Sequence, residues 1–98
     1  MKVIAVSRPV TRPLAELAPH LLDEAAATWT LYTEDLIREI YLRDDGGVIL
    51  ILESPDLGAA RDTIGRLPLT ANGFLEFDIW ALAPFSPWGR LQAPGRGA

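Results

Sequence analysis

The chain has 98 residues, enough for one domain with a modest core and little room for a second. Thirteen acidic residues against nine basic ones give a net charge of −4, which argues against nucleic-acid backbones and anionic membranes as partners, since both call for clustered Lys and Arg. Without cysteine there is no disulfide framework and no thiol catalysis.

In chain order, residues 2–8 (KVIAVSR) form a short β-branched run that predicts a first strand. The opening is too short for a secretory apolar region, and no apolar run reaches spanning length, so the expectation is a soluble, cytoplasmic protein with no membrane partner. Pro9, Pro13 and Pro19 mark a loop. Pro19 would break a helix interior but suits a first turn, which places a helix over 19–34. Leu22, Ala25, Trp29 and Tyr32 recur there at helical spacing and predict one buried stripe.

The next stretch, REIYLRDDGGVILILE (38–53), reads as a hairpin. Its first half alternates, with Glu39, Tyr41 and Arg43 on one face and Ile40 and Leu42 on the other. Its second half is apolar from Val48 to Leu52, as expected of a central strand covered on both faces. Asp45-Gly46 predicts a two-residue primed turn between them. Ser54 as N-cap and Pro55 at the first helical position start a second helix, whose stripe is Leu57, Ala60, Ile64 and Leu67 and which Pro68 ends. A last strand covers 73–82.

The order β-α-β-β-α-β is the ferredoxin-like split motif, an α+β fold with a four-stranded antiparallel sheet and two helices on one face. Right-handed crossovers put the first and third strands in the middle. Residues 1–85 make the domain; the Pro/Gly-rich tail 86–98 is expected to order itself by packing Trp88 and Leu91 on a neighbouring subunit. The helix-covered face should carry Ile4, Val6, Ile40, Leu42, Leu75, Phe77 and Ile79. The opposite face should carry Val3, Ala5, Tyr41, Phe74 and Trp80, with Glu39, Arg43, Glu76 and Asp78 among them. So much apolar surface calls for cover, and the same face of a second copy would supply it, giving a dimeric α+β barrel as a homodimer or a larger ring of dimers.

That arrangement resembles the dimeric α+β barrel superfamily. ARDTIGRLPL (60–69) followed by FLEFDIWALAPF is similar to the second half of the muconolactone isomerase-like family, in which a helix ends in Leu-Pro-Leu before the closing strand. This chain departs from the family pattern at Thr70-Ala71-Asn72-Gly73, where the family is aromatic-rich, and at Asp23-Glu24, which keeps a carboxylate but lacks the preceding arginine. His20-Leu21 and Gly73-Phe74-Leu75 are similar to the YCII-like proteins, whose Asp-Pro is replaced here by Leu67-Pro68. The first resemblance implies a small cofactor-independent isomerase moving a proton on a small anionic, cyclic or aromatic-derived metabolite. Alternatives on the same fold are a non-catalytic ligand-binding or assembly module, a YCII-like protein and a cofactor-free monooxygenase.

No metal-ligand spacing, phosphate-binding glycine loop or nucleophile elbow is present, which leaves acid/base chemistry by carboxylates, the histidine or tyrosine. His20 and Glu24 lie one helical turn apart. They read either as a proton-transfer pair, with Glu24 the base and His20 or Tyr41 an auxiliary donor, or as solvated residues favouring the helix dipole. Arg43 reads either as a carboxylate clamp or as one partner in ion pairs with Glu39, Glu76 or Asp78. Trp29, Tyr32 and Trp80 would wall an aromatic-substrate pocket or serve as core and interface.

Overall fold

A computed structural model describes residues 1–92. Strands β1 (Lys2–Ser7), β2 (Ile37–Leu42), β3 (Val48–Glu53) and β4 (Phe77–Leu82) form one antiparallel sheet in the order β2-β3-β1-β4. The central pair is β3 and β1, as the topology requires. Four helical segments lie on one face: α1 (Leu14–Leu17), α2 (Leu21–Thr33), α3 (Leu57–Gly65) and α4 (Pro68–Ala71).

Local chemistry explains where the elements differ from expectation. The first helix does not run unbroken from Pro19. A 3₁₀ turn, Ala18–His20, holds that proline between α1 and α2, because a residue without N–H fits a tight turn better than a helix interior. Helix α2 closes with Asp35 in the left-handed region (φ 63°), Leu36 N donating to Leu31 O and Asp35 N to Tyr32 O, a Schellman closure. The N-cap of α3 is Asp56, whose carboxylate accepts from Ala59 N at 2.7 Å, and not Ser54. Ser54 is unavailable because its own N–H donates to Met1 O beside the sheet and its hydroxyl donates to Asp56 O.

Pro68 does more than end α3: with Leu67 extended as N-cap, it opens α4. The chain then folds back, Phe74 N and Leu75 N both donating to Leu69 O, so β4 starts only at Phe77. The hairpin carries a three-residue loop in place of the expected two. Gly46 N donates to Arg43 O, Arg43 N donates to Gly47 O, and Gly46 alone takes the left-handed conformation (φ 84°), a type I turn with a glycine bulge.

The core between sheet and helices is built on Val3, Ala5, Leu50 and Leu52 from the strands and Leu31, Ala60, Ile64 and Leu67 from above. Here β1 corrects the expected facing: Val3 and Ala5 point to the helices, and Ile4 and Val6 to the open side. Every residue from Val3 to Val6 is apolar, so alternation carries no phase in this strand. Register supplies it, since Ile4 pairs with Trp80 and Ile51, and Val6 with Asp78 and Ile49. On β2 and β4 the expected faces hold for Ile40, Leu42, Tyr41, Phe77, Ile79 and Trp80, whereas Phe74, expected on the open face, precedes β4 and packs on the helix side. A second cluster, Leu17, Leu69 and Leu75, joins α1 to the turn after α4.

The segment Ser86–Gln92 is 3₁₀ and exposed, with Phe85 and Trp88 rings edge to face at 5.3 Å. The remainder of the expected tail, 93–98, lies outside the described residues. Among those residues no helix is long and apolar enough to cross a membrane.

Candidate functional site

Helices α1 and α2 cover the β2–β3 side of the sheet without sealing it. Between them lies a cavity of about 540 Å³, walled by Leu14 and Leu17 of α1, Leu21, Glu24, Ala25 and Thr28 of α2, and the helix-facing side chains Ile40, Leu42, Val48, Leu50 and Phe77 of the sheet. Leu67, Leu69 and Leu75 close the far end. The lining is apolar but for a few groups, and among the described residues Glu24 is its only charged one.

Glu24 sits one turn after Leu21, on the side of α2 that carries the buried Leu31; the stripe expected from spacing, Leu22, Ala25, Trp29 and Tyr32, is exposed instead. Its Oε1 accepts the backbone N–H of Leu69 at 3.0 Å, at the first turn of α4, where a free N–H needs an acceptor. Burial raises the Glu24 carboxyl above its ordinary value, and the Leu69 hydrogen bond opposes that rise only in part. A carboxyl of this kind, with one oxygen held and the other without a protein partner among the described residues, can hold or release a proton at Oε2.

The other candidate residues disperse around this centre. His20 turns away, its ring 5.1 Å from that of Phe74, and among the described residues no hydrogen bond links it to Glu24. Tyr41 borders the cavity at the sheet edge, but its pairing with Ile49 puts its side chain on the open face, where its hydroxyl donates to Glu39 Oε1 at 2.6 Å and that bond raises the phenol above its ordinary value. Trp29 and Tyr32 stack at 5.7 Å on the outer flank of α2. They border a shallower hollow of about 330 Å³ that shares Ala25, Thr28 and Ile40 with the main cavity. Trp80 stands on the opposite face of the sheet, across from Ile4.

Arg43 lies just beyond β2, outside the cavity lining. Nε and Nη2 donate to the two carboxylate oxygens of Asp45 at 3.0 Å each, and Nη1 donates to Ser7 O at 2.9 Å. The Arg43 bond is the main cause that holds the Asp45 carboxyl below its ordinary value. Gly47 leaves room for this fold-back, since a Cβ there would displace the guanidinium. The anion beside Arg43 is thus Asp45, and Glu76 and Asp78 pair with Arg8 instead.

Sequence reasoning missed the α4 turn as part of the site. Its signal was present in Leu67-Pro68-Leu69: a proline at a first helical position exposes the next N–H to any acceptor opposite. Among the described residues, no group of three or more His, Cys, Asp or Glu could hold a metal ion.

No family model matches the chain, and no curated protein matches it. Among solved structures it is similar to the crystal structure of muconolactone isomerase, with a TM-score of 0.67 at 21% identity, over 88% of this chain and 94% of that one. The chain has the fold of muconolactone isomerase.

Proposed function

We propose that the chain is a small proton-transfer enzyme of the isomerase type, acting on a small cyclic or aromatic-derived metabolite held under α2, with Glu24 as the group that takes and returns the proton. The observation that carries this reading is a lone carboxyl, raised by burial, in an otherwise apolar cavity of ligand size. The muconolactone isomerase fold supports it by analogy. Trp29 and Tyr32 flank its outer hollow, whereas the Tyr41 side chain lies on the open face beside Ile49 with its hydroxyl held by Glu39 and drops out as a donor. His20, bound up with Phe74, has no part in the proposal. Arg43 is engaged by Asp45, so the expected anion clamp is not carried forward.

A second oligomeric copy belongs to the same reading. The open face aligns Trp80, Ile4 and Ile51 in one row and Val6, Ile49 and Tyr41 in the next, an apolar patch suited to its own counterpart. Trp88 and Leu91 of the tail would add a contact to a neighbour.

One observation favours a non-catalytic ligand-binding module: Glu24 caps α4 through Leu69 N, a structural duty sufficient to keep a carboxylate there. Solvent-deuterium exchange, followed by NMR on a panel of lactones and cyclic enones, separates the two. The enzyme should catalyse exchange at a carbon next to a carbonyl, and Glu24→Gln should slow it by roughly two orders of magnitude or more. Exchange of equal rate in both proteins, or none in either, leaves the module.

A further inference from the structure

We infer that the cavity under α2 takes an uncharged, largely apolar ligand whose single hydrogen-bonding group meets Oε2 of Glu24. This deepens the reading of that cavity as a ligand site and rests on it. Three observations carry it.

The first is charge. Among the described residues Glu24 is the only charged side chain in the lining, and an anion entering beside it would meet no cation there to offset it. The arginines that could have served are committed elsewhere: Arg43 to Asp45 and Ser7 O, Arg8 to Glu76 and Asp78, Arg12 to Glu16 and the face of Phe74.

The second is hydrogen-bonding capacity. Glu24 Oε1 is occupied by Leu69 N, so one oxygen remains to orient a ligand, and a ligand with many polar groups would lose water without compensation. Oε2 accepts from a hydroxyl when the carboxyl is ionised and donates to a carbonyl when it is protonated, the form that burial favours.

The third is shape. About 540 Å³ lies within the usual range for small-molecule pockets, and the separate hollow that shares its Ala25, Thr28 and Ile40 wall carries the stacked Trp29 and Tyr32, a flat flank for a ring.

A matched pair of fluorescent probes tests the class: uncharged N-phenyl-1-naphthylamine, and 8-anilinonaphthalene-1-sulfonate, the same scaffold with an anionic group. At pH 7 the uncharged dye should bind at least tenfold more tightly. Ala25→Trp, a replacement at an exposed position on the cavity wall, should weaken that binding at least tenfold. Leu42→Arg, at a wall position 81% exposed, should raise the affinity of the anionic dye at least fivefold. Equal or tighter binding of the anionic dye by the unmodified chain would overturn the inference. So would binding of the uncharged dye that ignores Ala25→Trp, an anionic dye indifferent to Leu42→Arg, or failure of both dyes to bind. Catalysis is decided separately. Selective uptake of the uncharged dye by a chain inert in deuterium exchange would end the enzyme reading and leave this one standing, and anion preference with Glu24-dependent exchange would do the reverse.

Discussion

Glu24 Oε1 accepts the backbone N–H of Leu69 at 3.0 Å, joining the first turn of α2 to the first turn of α4 across 45 residues of chain. The same carboxyl that faces the cavity therefore holds its end wall in place. The charged group of the cavity and the tie that holds its wall are one side chain.

The pH dependence of stability follows from that geometry. Burial raises the folded Glu24 carboxyl, so the folded chain binds its proton more tightly than the unfolded chain does. Its favourable contribution is complete below the ordinary glutamate value and is lost as pH rises through the window up to the raised value, beyond which it is flat. Glu24→Gln keeps an acceptor for Leu69 N and cannot titrate. Thermal melts of both proteins across pH 4–8 should therefore diverge in slope within that window, the parent losing stability relative to the variant. Parallel curves would contradict the placement of Glu24.

Arg43→Met tests the folded-back guanidinium. The Asp45 side of the pair is solvent-exposed and screened, so the loss should come mainly from the part-buried bond to Ser7 O, about 1–2 kcal/mol. Denaturant unfolding measures it. Because Arg43 lies outside the cavity lining, dye binding should be unchanged, and a tenfold loss of affinity would return Arg43 to the site.

The open sheet face predicts association. Trp80→Asp places a carboxylate in the row with Ile4 and Ile51, where a partner's apolar face would desolvate it. Light scattering should show an oligomer for the parent at micromolar concentration and a monomer or aggregate for the variant. A stable parent monomer would sink the prediction.

Gly46 gives a cleaner conformational test. With φ at 84° and nothing within 4 Å of a built Cβ, Gly46→Ala costs only the left-handed backbone, about 1 kcal/mol. The variant should keep its far-ultraviolet spectrum and melt a few degrees lower. At Gly47, which needs no left-handed backbone, alanine acts differently: it displaces the Arg43 guanidinium, so its cost should match that of Arg43→Met.

Much of this architecture was legible in local chemistry. The alternation of Glu39 and Tyr41 against Ile40 and Leu42 assigned the two faces of β2, and the element order alone implied β1 and β3 at the centre. Pro19 marked a helix boundary, and the residues around Gly46 a turn, because proline and glycine act on their own backbone whatever surrounds them. Glu24 could be singled out as a carboxylate one turn from His20, but the stripe read on its helix, Leu22, Ala25, Trp29 and Tyr32, is the exposed side. What local sequence could not reach were relations between distant segments. Val3 to Val6 are all apolar, so only pairing with β3 and β4 told Ile4 from Ala5. Arg43 had several carboxylates in reach along the sequence, and the three-residue loop decided for Asp45. The cavity has no sequence signature at all. It is the space left where α1 and α2, broken apart at Pro19 and tied to α4 through Glu24 and Leu69, fail to close on β2 and β3, and such a remainder is set by how whole surfaces fit and not by any residue's own preference.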